Sequence, residues 1–204
     1  DILFAGDFCP RGRTESLVLT GRDHEILAPL AEELARKDLS VVNLETPLIT
    51  EGTPIAKSGP NLKVNPANVS LLKTGGWDIA CCANNHIGDF GPAGAIETCK
   101  LLKKKKIQFV GVGKNLEAAR QPLIVEKNGL HIAFLAVAEN EFGLATDKTA
   151  GANPLQPMRN IRQIKAASQQ ADFVIVLVHG GNEHYPLPSP RMVDTYRAFV
   201  DAGA

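Results

Sequence analysis

Short runs rich in Val, Ile and Leu recur along the chain at Ile2 to Ala5, Leu39 to Leu44, Trp77 to Ala83, Ile107 to Val112 and Phe173 to Val178. Short, largely apolar runs of this kind predict strands buried on both faces. The segments between them carry helical spacing. Asn65-Pro66 supplies an N-cap and a first-turn proline ahead of Val69 and Leu72, and Gly75-Gly76 closes that segment. Pro92 opens a second helix with Ile96, Cys99 and Leu102 on one stripe. Lys103 to Lys106 stand at its C-terminal end, where cations complement the helix dipole. Pro157 precedes Met158, Ile161, Ile164 and Ala167, and Pro190 precedes Met192, Tyr196 and Phe199, so both segments read as amphipathic helices. The alternation predicts parallel βαβ units in a layered α/β fold. One feature departs from it: Pro122 to Glu126 and His131 to Ala138 flank Asn128-Gly129, a strong hairpin signal. An antiparallel hairpin among parallel units implies a second sheet or a mixed one.

The chain has 204 residues, 44% of them hydrophobic, which is enough to bury a core as one domain spanning residues 1–204 without metal or disulfide support. Its 22 Lys plus Arg balance 22 Asp plus Glu, so no broad basic field exists to hold a nucleic acid or an anionic bilayer. Cys9, Cys81, Cys82 and Cys99 form no C-x-x-C pair, and Cys81 and Cys82 sit in an apolar run as small core residues. No apolar stretch reaches the roughly 18 residues of a membrane span. No signal peptide is visible, and residue 1 lies almost inside a strand, so a leader or anchor is expected upstream if the protein has one.

Ligands of open α/β sheets bind beyond the carboxyl ends of parallel strands. Here those ends are Gly6-Asp7, Asn43-Leu44-Glu45, Asn84-Asn85-His86 with Asp89 close behind, and His179. Only the end at Gly111-Val112-Gly113 brings no ligand or acid–base group to that rim. Carboxylates, an amide oxygen and imidazoles suit Mn²⁺, Fe, Zn²⁺ or Mg²⁺, and a pair of such ions binds phosphoryl groups and generates hydroxide near neutral pH. Other chemistries lack their parts: there is no G-x-G-x-x-G after the first strand, no P-loop, no G-x-S-x-G elbow, and Glu15 stands where a thiol phosphatase with nucleophile Cys9 needs Arg. His24, placed before a helix, and His131, opening a hairpin strand, read as structural. His184 is open, because Glu183 beside it is an equal candidate. Glu139 and Glu141 face either the rim or solvent, and Arg11 and Arg13 either grip an anion or occupy an exposed turn. The longest irregular stretches, Thr46 to Gly59 and Glu139 to Pro154, are where loops of a compact domain tend to carry sites.

At these residues the sequence resembles the CapA-type poly-γ-glutamate capsule biosynthesis proteins, whose domain is similar to the calcineurin-like metallophosphoesterases. The matching elements are Gly6-Asp7, Asn43-Leu44-Glu45-Thr46-Pro47, Ala83-Asn84-Asn85-His86 with Asp89-Phe90-Gly91, Gly111-Val112-Gly113-Lys114-Asn115-Leu116 with Ala118-Ala119-Arg120, and His179-Gly180-Gly181-Asn182-Glu183. The resemblance implies a layered metallophosphoesterase-like sandwich. It implies Asp7 on one metal, Glu45 as the bridging carboxylate, Asn85 and His179 on a second metal, His86 near the leaving group and Asp89 orienting it. Arg11, Asn84 and Glu183 are expected to contact substrate. Cys9 stands where the phosphoesterase pattern has a histidine ligand, and Gly180 replaces an aromatic common in the capsule family. That family continues past Ala204 into another strand and a G-H-H-P-H motif, so residues 1–204 are expected to lack the C-terminal portion and about two histidine ligands. The role implied is capsule assembly or export at the cell envelope, in a membrane complex, on an anionic polymer or a phosphate-type small substrate. The alternatives are a metal-dependent phosphoesterase or related hydrolase, and a non-catalytic module that binds an anionic polymer.

Overall fold

The computed structural model describes residues 1–204. The first sheet is parallel, in the order β1 (Ile2–Phe8), β2 (Leu39–Leu44), β3 (Ile79–Cys81) and β4 (Gln108–Val110). Helices α1 (Arg13–Leu19), α2 (Asp23–Leu27) and α3 (Ala31–Arg36) connect β1 to β2; α4 (Val69–Thr74) precedes β3, and α5 (Gly91–Lys104) precedes β4. The chain then forms β5 (Val112–Gly113), α6 (Leu116–Ala119), β6 (Leu123–Lys127), β7 (Leu130–Ala138), β8 (Gly151–Ala152), α7 (Pro157–Ala167), β9 (Phe173–His179) and α8 (Pro190–Asp201). β5 and β8 make a small antiparallel pair, while β6, β7 and β9 form a second sheet, antiparallel at β6–β7 and parallel at β7–β9.

The hairpin forms where Asn128-Gly129 predicts it. Both residues hold positive φ, 53° and 78°, which gives the two-residue turn the twist that the flanking strands need. β7 is buried on both faces, and period 2 divides its residues between two cores. Ile132, Phe134, Ala136 and Ala138 belong to one core with Val42, Leu44, Ile79 and Leu102. Ala133, Leu135 and Val137 face Ile164 and Ala167 of α7 and Phe199 of α8. On the first sheet's flank, Val18, Leu27 and Leu71 bring α1, α2 and α4 together. The fold is therefore layered α/β, with parallel units and one antiparallel hairpin.

Four expectations are corrected. The run Ile107 to Val112 is not one strand: Gly111, at φ 83°, breaks it into β4 and β5, and a Cβ there would lie 2.6 Å from Ala83 Cβ and 2.7 Å from Ala136 Cβ. The strands β1 and β9 are not buried on both faces, because each stands at the edge of its sheet; Phe4 is 48% exposed and Phe173 57% exposed. Met158, at 69% exposed, lies off the buried stripe of α7. His24 lies inside α2 rather than before a helix.

Candidate metal centre

Each rim residue is delivered by its own strand end. At β1 the pairing with β2 slips between Ala5 and Asp7, so Gly6 is a bulge and Asp7 comes level with Asn43. Asn43 Nδ2 donates to Asp7 Oδ1 at 2.7 Å and lies 3.2 Å from His179 Nδ1. Glu45, one residue past β2, is held by its N–H on the Phe8 carbonyl at 3.1 Å. His179 is the last residue of β9, and Nε2 of its ring lies 3.4 Å from Glu45 Oε1 and 3.1 Å from Asn85 Oδ1. One ligand atom from each of Asp7, Glu45 and His179 fits within 4.8 Å of the others.

Asn84 explains why the turn after β3 holds its shape. It is fully buried, donates to Asn43 Oδ1 at 3.0 Å and to the Leu44 carbonyl at 2.9 Å, and accepts from the N–H groups of His86 and Ile87. Its polar atoms are thus spent on protein, and it does not line the cavity above the cluster. That cavity, about 420 Å³, is lined by Asp7, Glu45, Asn85, His86 and His179, together with Glu139, Glu141, Asn182 and Glu183.

The cluster has the electrostatics of a cation site. Burial pushes the Glu45 carboxyl above its ordinary range, and the Asp7 charge adds to the effect against the opposing pull of His179 and His86. Two carboxylates, an imidazole nitrogen and an amide oxygen converging here fit a hard or borderline divalent ion, and no Lys or Arg lines the cavity to compete.

Behind the rim lies an arrangement the sequence does not announce. Asp89 is fully buried, and its Oδ2 accepts from His86 Nδ1 at 2.7 Å and from the Leu62 N–H at 2.6 Å. Its Oδ1 is paired with the ammonium of Lys57, itself 2% exposed, and Lys57 Nζ lies 3.2 Å from His86 Nδ1. Burial alone would raise the Asp89 carboxyl, but the hydrogen bonds of His86, Lys57 and Leu62 outweigh it and leave the group below the usual carboxylate range. With Nδ1 occupied, Nε2 is the ring nitrogen that His86 can offer to the cavity.

Arg11 is exposed and outside the cavity lining, whereas Glu183 is part of it. Cys9 is half-buried and away from the lining, with burial pushing its thiol up. His184 is exposed and does not line the cavity, and His131 donates its N–H to Asp172 at 2.8 Å at the far end of β7. Glu139 accepts from Arg191 at 2.8 Å and from the Gly181 N–H at 3.1 Å; its side chain fills the space that a Cβ on Gly180 would need. Lys57 and Asn182 are the site residues missed from sequence, and Glu139 and Glu141, which the sequence leaves open between rim and solvent, line the cavity. All four lie in irregular segments where periodicity carries no signal.

Residues 1–204 in full match the family model of the bacterial capsule synthesis protein PGA_cap. The chain belongs to that family. Within it, the chain is 29% identical over 180 residues to a capsule biosynthesis protein CapA of Bacillus anthracis, covering 84% of this chain and 44% of that one. It is 34% identical over 147 residues to the PGA biosynthesis protein CapA of Bacillus subtilis, covering 71% of this chain and 39% of that one. This PGA_cap chain thus spans less than half the length of these relatives. Among solved structures it resembles a candidate 5'-nucleotidase from Staphylococcus aureus (TM-score 0.52, 10% identity, 98% of this chain and 42% of that one). It also resembles a hypothetical protein from Thermus thermophilus (TM-score 0.50, 20% identity, 89% of this chain and 58% of that one). At these identities the likeness speaks for the layered phosphoesterase-type fold alone.

Proposed function

We propose that this PGA_cap chain acts in poly-γ-glutamate capsule biosynthesis through a divalent-metal centre of metallophosphoesterase type, as one domain over residues 1–204. The observation that carries the reading is the convergence of Asp7, Glu45 and His179 within 4.8 Å, with Asn85 Oδ1 beside His179 Nε2. Asp7, Glu45, Asn85 and His179 would hold the metal. When bound, the metal would polarise an ester or amide oxygen and lower the pKa of a water ligand. The chain's own part is to aim these donors from rigid strand ends, and to hold His86 over the cavity through Asp89. Protonated at Nε2, His86 donates to the departing oxygen as general acid. Two ions, among Mn, Fe, Zn and Mg, and a site at the cell envelope belong to this reading, which the capsule-family match supports.

A metal-free module holding an anionic polymer is disfavoured. Asp7, Glu45, Glu139, Glu141 and Glu183 are five of the twelve residues around the cavity, and none of the others is Lys or Arg, so a polyanion would be repelled there. The test is calorimetric titration of Mn²⁺ and Zn²⁺ into the protein and into Asp7→Asn and His179→Ala. It is followed by assay of phosphate-ester and γ-glutamyl amide hydrolysis with the metal that binds. Saturable binding lost in both variants supports the centre; binding unaffected by either variant rejects it.

A further inference from the structure

An amide ligand has two faces, and only one can bind a metal. Asn85 must turn Oδ1, not Nδ2, toward the cluster, and the two atoms are nearly equal in size. Something must therefore break the symmetry. In this fold it is Glu141: its Oε2 accepts from Asn85 Nδ2 at 2.9 Å, while Asn85 Oδ1 lies 3.1 Å from His179 Nε2. A carboxylate only accepts, so it holds the NH₂ edge and leaves the oxygen for the rim.

Glu141 does not belong to any strand end. It sits in the loop after β7, and the loop reaches Asn85 because two backbones meet where neither carries a side chain. Gly143, at φ 69°, packs against Gly88 of the turn that holds Asn85 and His86, and a Cβ on Gly143 would lie 2.7 Å from the Gly88 Cα. The Gly143 carbonyl accepts from the Ala152 N–H at 2.9 Å, and the Gly88 carbonyl accepts from the Gly91 N–H at 2.8 Å, so both sides of the contact are fixed. The glycine pair brings the loop down on the turn, and the loop brings a carboxylate to the back of the amide.

We propose that Glu141 is a positioning residue that sets the amide orientation of Asn85 for metal binding, and that the Gly88–Gly143 contact holds it there. The inference rests on the metal-centre reading above. Partners that orient a metal ligand in this way typically contribute about 10–100-fold in affinity.

The experiment is titration of Mn²⁺ and Zn²⁺ into wild type, Asp7→Asn, Glu141→Ala, Glu141→Gln and Gly143→Ala, each checked for native circular dichroism. Glu141→Ala is expected to lower affinity about 10-fold or more. Glu141→Gln, whose amide oxygen can accept the same bond, is expected to stay close to wild type although it removes the same charge. Gly143→Ala, which changes no charge, is expected to weaken binding in the same direction as Glu141→Ala. Equal losses in Glu141→Gln and Glu141→Ala would make Glu141 a direct ligand or a mere source of charge and overturn the proposal. So would wild-type affinity in Glu141→Ala. If Asp7→Asn loses metal while Glu141→Ala keeps it, the centre stands and this inference falls. If wild type binds no metal at all, the centre falls and takes the inference with it.

Discussion

Lys57 and Asp89 are both sealed from solvent, so neither charge can be removed without stranding the other. Breaking a buried pair on one side typically costs about 3–5 kcal/mol, more than the pair itself contributes against apolar replacements. Lys57→Met is therefore expected to destabilise the fold by about that amount in urea unfolding, and adding Asp89→Asn to it should recover part of the loss. Additive losses in the double variant would show that the two side chains act independently. His86 also bonds Asp89 through Nδ1, so its catalytic role is read by turnover and metal content, apart from stability. His86→Ala is expected to lower turnover about 10²–10⁴-fold with metal content unchanged. A matching loss of metal would make it a ligand, and unchanged turnover would remove it from the mechanism. Asp7, Glu45, Asn85, His86 and His179 could be picked from sequence because each stands at or soon after the carboxyl end of a parallel strand, and a strand's direction fixes the rim its end reaches. Lys57 could not, since it comes from the long loop between β2 and α4, and only the folded path of that loop sets it behind His86.

Between elements, Gly111 decides how the two sheets meet. It lies at φ 83° with Ala83 on one side and Ala136 on the other, where a methyl would overlap both. Gly129 also has positive φ, 78°, but nothing approaches within 4 Å of the position its Cβ would take. The pair separates backbone strain from packing. Gly129→Ala is expected to cost about 1 kcal/mol, the strain alone, while Gly111→Ala should cost about 2–5 kcal/mol because overpacking is added. Urea unfolding followed by the fluorescence of buried Trp77 measures both, and equal costs would refute a packing role for Gly111. The same residue shows where element reading stops. An apolar run has no periodicity to mark a change of sheet, so Ile107 to Val112 reads as one strand, although the glycine inside it redirects the chain. The hairpin was legible because Asn128-Gly129 carries its own geometry. Most of the helical stretch from 13 to 36 was not, because its short segments bury few side chains and show no sustained stripe.

For the molecule as a whole, the candidate centre is a liability when empty and an asset when filled. The chain has formal net charge zero, yet five carboxylates face one cavity, so the repulsion is local and not a matter of overall charge. Burial and then the nearby Asp7 raise the Glu45 carboxyl above its unfolded value, which means that the folded state holds its proton more tightly. The sign follows from linkage: the Glu45 contribution favours folding while the group is protonated and is lost as pH rises through the raised pKa. Asp89 runs the other way, since its depressed pKa supports the fold above the ordinary carboxylate range and gives way only as pH falls through the folded value. With chelator present, Glu45→Gln is therefore expected to be more stable than wild type near neutral pH and to converge with it in acid, where Glu45 is itself protonated. Metal reverses the order. A ligand at about 100 times its Kd stabilises by about 2.7 kcal/mol, which for a chain of this size raises Tm by about 5–10 °C. Wild type should show that gain with Mn²⁺, and Glu45→Gln should not, because it has lost a charged donor. Thermal unfolding of both proteins from about pH 5 to 8, in chelator and in Mn²⁺, gives four curves whose order is fixed in advance. A Glu45→Gln variant less stable than wild type in chelator at neutral pH would show that Glu45 is a structural carboxylate, held for the fold and not for a cation.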